Sequence, residues 1–150
     1  FDEENTKIEF INPFFEALGW DVHNKKEKAP QYKEVVFEDT VKINGKVKAP
    51  DYSFRLGGQK IFFVEAKKPS VKLDKDKHPA FQARRYAWNA KLPLSILTDF
   101  EEFAVYETNS KPHKKQNASV DRIKYYKYTD YVEKWEEIYN VFSKKTSITK

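Results

Sequence analysis

The sequence predicts an α/β fold in which helices flank a mixed central β-sheet. Residues 35–67 are rich in the β-branched and aromatic side chains that favour strands. A helical pattern then lies between two predicted strands, which is typical of a crossover between parallel strands. Amphipathic patterns near both ends of the chain predict two further helices. The 150 residues, of which 39% are hydrophobic, fit one domain over residues 1–150.

The first predicted element is a helix over residues 4–18. Gly19 is placed to end it, because glycine readily adopts the left-handed conformation that closes many helices. Pro13 either kinks this helix or starts its second half. The apolar residues at helical spacing are Ile8, Ile11, Phe14, Phe15 and Leu18.

Two hairpins are predicted in the strand-rich centre. Asn44-Gly45 is a strong signal for a two-residue turn. Gly57-Gly58-Gln59 separates the predicted strands 52–56 and 60–64 and supplies the positive φ angles of a tight turn. The centre of the chain is therefore expected to be antiparallel.

The length of the second turn decides where two acids lie. If the loop contains all three residues 57–59, the register places Asp51 directly opposite Glu65, and directly opposed residues share a face. Side chains alternate along a strand, so Lys67 shares that face. A two-residue loop would turn one carboxylate to the opposite face.

The second half of the chain continues the mixed pattern. Residues 68–77 are predicted to form a loop, followed by a helix that Pro79 opens and that runs to about Ala90. Residues 94–97 and 103–105 predict two strands joined by a tight turn. Such a helix between strands predicts the crossover on which the fold class depends.

The last part of the chain is predicted to form a loop, a strand and a helix. Residues 108–121 are polar and rich in lysine, and we expect a mobile loop there. Residues 123–128 predict an edge strand. Asp130 with Glu133 forms a capping-box pattern at the start of a closing amphipathic helix. The apolar residues of that helix are Tyr131, Trp135, Ile138 and Phe142.

Composition narrows the possible functions. The net charge of +5 favours a polyanionic partner, of which nucleic acid is the leading candidate. The absence of cysteine excludes disulfides and thiolate metal ligands. His23, His78 and His113 share no ligand spacing, so any metal is expected on oxygen ligands. Without a membrane-length apolar run or a signal-peptide pattern, we expect a cytoplasmic protein with no membrane partner.

Asp51, Glu65 and Lys67 together fit metal-dependent phosphodiester hydrolysis. Mg²⁺ retains several of its waters, so two carboxylates and a substrate phosphate are sufficient to bind it. The ion activates water and screens the phosphate charge, and a nearby ammonium group orients the water or neutralises developing charge. A simpler interpretation remains open, in which Asp51 is a turn acid and the other two are polar residues on a solvated strand face.

Two motifs resemble those of a known nuclease family. Ala49-Pro50-Asp51 followed by Glu65-Ala66-Lys67 resembles the PD-(D/E)XK nuclease motif. Gln82-Ala83-Arg84-Arg85-Tyr86 resembles the Q-x-x-x-Y element that follows this motif in type I restriction subunits and RecB-like nucleases. The chain is also similar to the N-terminal domain of type I restriction R subunits and of single-chain, type IIG-like restriction-modification enzymes. The segments that carry this further likeness are residues 10–20, 97–99 and 139–143.

The resemblance implies a restriction-endonuclease-like fold and Mg²⁺-dependent cleavage of double-stranded DNA, with Mn²⁺ as a substitute. It implies that Asp51 and Glu65 bind the metal and that Lys67 serves catalysis. Glu16, on the first helix, matches the position of an acid that assists the metal site, unless it is only an exposed helix acid. Gln82 would support the catalytic site. The expected DNA contacts are Lys68, Lys72, Arg84, Arg85 and Tyr86, although lysines in a loop are often only solvated and Tyr86 also fits a half-buried helix edge.

The same resemblance implies an N-terminal fragment of a larger restriction-modification protein. Methyltransferase, specificity or motor domains of the parent enzyme would then be its partners, beside double-stranded DNA. Two other functions stay open. One is a non-catalytic nucleic-acid-binding module with a degenerate nuclease fold, and the other is a RecB-like exonuclease of DNA repair.

Overall fold

The computed structural model describes residues 1–148 and shows the predicted mixed sheet with flanking helices. The helices are α1 (Glu3–Thr6), α2 (Asn12–Ala17), α3 (Lys77–Ala90), α4 (Tyr131–Phe142) and α5 (Lys144–Ile148). A π-helical turn (Lys7–Ile11) joins α1 to α2, and two 3₁₀ turns cover Pro30–Tyr32 and Tyr128–Asp130. The strands are β1 (Val35–Phe37), β2 (Val41–Ile43), β3 (Lys46–Lys48), β4 (Tyr52–Leu56), β5 (Gln59–Ala66), β6 (Leu94–Thr98), β7 (Glu102–Glu107) and β8 (Arg122–Lys127).

Six strands form one sheet in the order β1-β4-β5-β6-β7-β8, and β2 with β3 forms a separate hairpin. The central pair, β5 and β6, is parallel, whereas the other neighbouring pairs are antiparallel. Helix α3 connects the two parallel strands, which is the crossover that the sequence pattern predicts. The predicted α/β fold class is therefore confirmed, with β8 at the predicted edge.

The two faces of the sheet bury separate layers of side chains. On one face, aromatic residues of β4 and β5 pack against α2 and α4, as in the contacts of Phe54 with Phe15 and Phe62. On the other face, α3 lays small residues such as Ala83 against Leu97 of β6. The side chains of α3 thus lie over the sheet face on which Asp51 and Glu65, the acidic pair, are expected.

Helical structure runs from Glu3 to Ala17, close to the predicted limits. Of the two interpretations of Pro13, the structure supports a start, because this residue is the second of α2. The intervening π-helical turn is not predicted by the sequence pattern. Such turns occur often at functional sites, and this one begins at Lys7.

Both predicted hairpins form, but the second has a shorter loop than expected. Asn44 and Gly45 have positive φ angles of 52° and 77° in the predicted two-residue turn. In the second hairpin Leu56 pairs with Gln59, so the loop consists of Gly57-Gly58 and not of three residues. Alone, this shorter loop would shift the register of the two strands by one residue.

A β-bulge in the second hairpin restores the predicted register. Arg55 pairs with Lys60, whereas the preceding Phe54 pairs with Phe62, so Ile61 is an extra residue in β5. Beyond the bulge, towards the acids, the strands follow the register that a three-residue loop would give. The predicted alignment is therefore correct for a different reason from the one that the sequence suggested.

Two details near the C-terminus differ from the sequence-based expectations. The side chain of Asp130 accepts a hydrogen bond from the Lys127 N–H, and the predicted capping box with Glu133 does not form. The polar segment 108–121, expected to be a mobile loop, is connected to α3 through Arg84. Within residues 1–148, no helix is long and apolar enough to cross a membrane.

Candidate active site

The two acids of the predicted metal site lie side by side where β4 begins and β5 ends. Tyr52 pairs with Val64, so the preceding residue, Asp51, lies opposite Glu65. The Asp51 N–H donates to Oε1 of Glu65 at 3.2 Å, and the Ala66 N–H donates to Oδ2 of Asp51 at 2.8 Å. These reciprocal bonds fix both carboxyl groups on the sheet face that α3 covers.

Burial and mutual contact shift the pKa values of the two acids in opposite directions. Burial raises the pKa of Glu65 most, and the hydrogen bond to Asp51 and its negative charge raise it further, to about 9. Burial also tends to raise the pKa of Asp51, but hydrogen bonds from Glu65, Lys7 and the Ala66 N–H outweigh it, so this pKa lies below its ordinary value. At neutral pH the two carboxyl groups therefore hold one proton, on Glu65.

Lys67 directly follows β5 and lies two residues after Glu65, so alternation along the strand predicts that it shares the face of Glu65. Its positive charge lowers the pKa of Glu65, which opposes the effects of burial and of Asp51. Its backbone N–H donates to the Thr98 carbonyl at 3.0 Å, so the end of β6 holds this part of the chain. Among the described residues, no hydrogen bond or ion pair engages the Lys67 ammonium group.

Of the two residues that carry the Q-x-x-x-Y element on α3, Gln82 and Tyr86, the second lies near the acidic pair. Burial raises the pKa of its hydroxyl, and the charges of Glu65 and Asp51 raise it further, while a hydrogen bond with the backbone of Ala49 lowers it. Gln82 lies one turn earlier, and its Oε1 is buried without a hydrogen-bond partner in the described residues. A buried amide oxygen without a hydrogen bond destabilises the fold unless a donor, such as a water molecule, binds to it.

Glu16 does not join the acidic pair. Its side chain is exposed, and Nε2 of His23 lies 3.9 Å from Oε1 of Glu16. No group of three histidine, aspartate or glutamate residues within 1–148 is arranged to hold a metal ion. Among the described residues Glu16 has no hydrogen bond or ion pair with Asp51 or Glu65, and its assistance to the metal site, directly or through water, stays a prediction.

Arg84 is placed away from the acidic pair and takes a structural role. It is 5% exposed, and its guanidinium donates to Asp121 at 3.0 Å and to Gln116 at 2.6 Å. These contacts hold the 108–121 segment and leave the Arg84 side chain almost no exposed surface with which to contact DNA. Arg85 packs over the Phe81 ring, whereas the Lys68 and Lys72 side chains are exposed.

Lys7 contacts the acidic pair, and the sequence gives no sign of it. Its ammonium group donates to Oδ1 of Asp51 at 2.8 Å and lies 3.8 Å from Oε1 of Glu3. The contact joins residues 44 positions apart, so no local spacing indicates it. The spacing of Glu3 and Lys7, four residues apart on a helix, predicts only their own ion pair.

Asp99 is a second buried acid near the site that sequence reasoning left without a role. It follows β6, whose partner strand β5 carries Glu65, and burial raises its pKa to about 7. Oδ1 accepts from the Glu102 N–H at 2.7 Å, and Oδ2 has no partner among the described residues. Its contact with the turn backbone indicates that Asp99 shapes the turn between β6 and β7.

The mixed six-stranded sheet with its flanking helices is a restriction-endonuclease-like fold, and Asp51 and Glu65 face each other where β4 begins and β5 ends. The chain belongs to the family described as the type I restriction enzyme R protein N terminus, which it matches over residues 1–114. It is 36% identical over 151 residues to RM.Eco57I of Escherichia coli, a type II restriction enzyme and methyltransferase. The match covers 99% of this chain and 15% of that relative's length. No solved structure matches the chain.

Proposed function

We propose that this chain is the Mg²⁺-dependent cleavage domain of a restriction-modification enzyme and hydrolyses phosphodiester bonds of double-stranded DNA. The observation that supports this most is the contact between the Asp51 and Glu65 carboxyl groups, with the positive charge of Lys67 close enough to act on Glu65. The membership of the family and the likeness to a restriction enzyme and methyltransferase agree with it.

The donor set fits Mg²⁺, with Mn²⁺ as a substitute. Two carboxyl groups that share one proton form a site whose negative charge a divalent cation would neutralise. Both donors are oxygen atoms, which suit these ions, and Mg²⁺ needs only one or two protein carboxylates because it keeps several waters. Asp51 and Glu65 would hold the ion, and no third protein ligand is required.

Each residue then has a separate task in hydrolysis. When bound, the ion supplies charge neutralisation at the phosphate and lowers the pKa of a water molecule. Lys67 would donate to the reacting phosphate or to the attacking water, because its ammonium group has no other partner in the described residues. Tyr86 borders the pair, and Gln82 would use its unpaired Oε1 to position water or DNA. Lys68, Lys72 and Arg85 would hold the DNA backbone.

The larger protein would supply the remaining activities. The chain spans about 15% of the length of the restriction enzyme and methyltransferase that it resembles. We propose that methyltransferase, specificity or motor domains of a parent enzyme direct this single domain to its target, and that it acts in the cytoplasm, where the DNA lies.

A cleavage assay tests the proposal. Supercoiled plasmid incubated with the chain in MgCl₂ or MnCl₂ should be nicked and linearised, and EDTA should prevent both. MnCl₂ alone should also raise the melting temperature, because an ion that binds only the folded state stabilises it. Intact plasmid together with an unchanged melting temperature would contradict the proposal.

The same assay separates the two other functions. A non-catalytic binding module would bind DNA with salt-dependent affinity and show no response to metal. A repair exonuclease would degrade linear DNA and leave closed-circular plasmid intact. Cleavage of closed circles is therefore the result that distinguishes the proposed endonuclease from both.

Metal binding should strengthen as pH rises. Glu65, with its pKa of about 9, holds a proton at neutral pH that must leave when the carboxylate binds metal. The apparent dissociation constant for Mn²⁺ should therefore fall by about tenfold per pH unit between pH 6 and 8. Calorimetric titration in buffers of different ionisation enthalpy should show release of about one proton at pH 7.

Without metal, the same group makes the free energy of unfolding fall as pH rises. The folded state retains the proton of Glu65 that an unfolded chain loses near its ordinary pKa, so this decline extends from about pH 4.5 to about pH 9.

A Mn²⁺ affinity that does not change between pH 6 and 8 would show that Glu65 is not a metal ligand.

A further inference from the structure

Lys7 is the positive group closest to the proposed metal ligands. It lies at the start of the π-helical turn, and its side chain is only 14% exposed. Its ammonium group donates to Oδ1 of Asp51 at 2.8 Å, while Oδ2 of the same carboxylate accepts from the Ala66 N–H. Both oxygens of Asp51 are therefore engaged in the metal-free chain.

The contact is specific rather than a chance pairing of surface charges. Both side chains of the ion pair are largely buried, and Glu3 lies 3.8 Å from the same ammonium group. The pair also joins the N-terminal helical segment to the residue that precedes β4, 44 positions later. A partly buried ion pair of this kind holds its geometry better than exposed pairs do.

The position of Lys7 has a direct consequence for the binding of a divalent ion. An ammonium group and a metal ion that bind the same carboxylate oxygen lie no more than about 5 Å apart, from contacts of about 2.8 and about 2.1 Å, and at most about 2 Å further apart when they bind its two different oxygens. Even with the dielectric constant of water, repulsion between one and two positive charges at that separation changes an equilibrium constant by about tenfold. Lys7 therefore opposes metal binding at Asp51.

We propose that Lys7 is a further positioning residue of the site, which neutralises Asp51 in the metal-free chain and competes with the divalent ion for that carboxylate. The inference rests on the proposed function, because it assigns Lys7 to the same metal site. Lys7 thus sets the metal concentration at which the site fills. It also keeps Asp51 oriented next to Glu65 until the ion arrives.

Direct Mn²⁺ binding to the 150-residue chain tests this role without relying on cleavage. The dissociation constant is measured from the electron paramagnetic resonance signal of free Mn²⁺. Lys7→Gln removes the charge and should lower the constant by about tenfold. Lys7→Arg keeps the charge and should leave it near the wild-type value. Lys46→Gln, on the exposed β2–β3 hairpin, makes the same change in net charge away from the site and should have no effect.

Melting temperatures in EDTA show that each variant is folded before its binding is compared. If wild type binds Mn²⁺ and Lys7→Gln binds it equally or more weakly, the competing role is overturned while the proposed metal site stands. If neither protein binds Mn²⁺, the metal site of the proposed function fails, and the role of Lys7 fails with it.

Discussion

Replacing Asp51 by asparagine is expected to abolish DNA cleavage and to remove the stabilisation by Mn²⁺. Asparagine has the same shape, and its side-chain oxygen can still accept the Ala66 N–H, so the local backbone should be retained. It lacks the negative charge that a hard divalent ion requires. Loss of the ion removes several kcal/mol of transition-state stabilisation, so cleavage should fall at least about a thousandfold, or about 4 kcal/mol.

Two measurements check the Asp51→Asn result. Conversion of supercoiled plasmid to nicked and linear forms gives the rate, and melting curves in EDTA and in MnCl₂ give folding and metal binding. Glu107→Gln is a matched control, because it removes one acid from an exposed position at the end of β7. An Asp51→Asn protein that still cleaves DNA and still melts higher in MnCl₂ would place the metal elsewhere.

The sheet could be predicted because its signals are local. The Asn44-Gly45 turn and the alternation of side chains along β4 and β5 depend on neighbouring residues. The crossover follows from a helix pattern between two strands, and α3 begins at Lys77, two residues before the predicted Pro79. These features need no knowledge of distant contacts.

The hairpin shows how a correct geometry can follow from an incorrect premise. The sequence favoured a three-residue loop at 57–59, whereas the structure has a two-residue loop and a bulge at Ile61. Both arrangements insert one residue between the same two strands, so both place Asp51 opposite Glu65. A bulge depends on packing along the whole strand pair, and no turn residue reveals it.

The site could be predicted only where its residues belong to a recognisable sequence motif. Asp51, Glu65 and Lys67 follow from strand alternation, and Tyr86 follows from the next helix. Lys7 and Glu16 lie on the same N-terminal helical segment, and their distances from Asp51 depend on how that segment packs and where its π-helical turn lies. Helical periodicity identifies the buried face of the segment but not which polar residue reaches the sheet.

Long-range contacts also explain why the adjacent residues Arg84 and Arg85 differ in their surroundings. Arg84 and Arg85 both resemble phosphate contacts in a sequence with excess positive charge. The Arg84 guanidinium instead donates hydrogen bonds to Asp121 and Gln116, in a segment that was predicted from the sequence to be mobile. A buried guanidinium needs such partners, since an unpaired buried charge is strongly unfavourable. The long polar segment therefore has a partner that only the tertiary structure reveals.

Replacing Lys67 by alanine is expected to reduce the cleavage rate by about a hundredfold without weakening metal binding. A hundredfold loss corresponds to about 2.7 kcal/mol, which is typical for the removal of one group that stabilises developing charge. Removal of this positive charge also lessens the repulsion that a divalent ion meets beside Glu65, so Mn²⁺ affinity should not fall. The test measures single-turnover cleavage at increasing MnCl₂ together with direct Mn²⁺ binding.

The metal dependence of the rate separates a catalytic role of Lys67 from an indirect one. If Lys67 acts on the reacting phosphate or water, the Lys67→Ala rate stays low at saturating MnCl₂. Lys134→Ala, at an exposed position on α4, removes the same charge and should cleave like wild type. Recovery of the Lys67→Ala rate at high MnCl₂ would mean that the lysine acts only through metal binding. That result would leave the two acids as the complete catalytic set, because the ion would then account for all of the charge stabilisation.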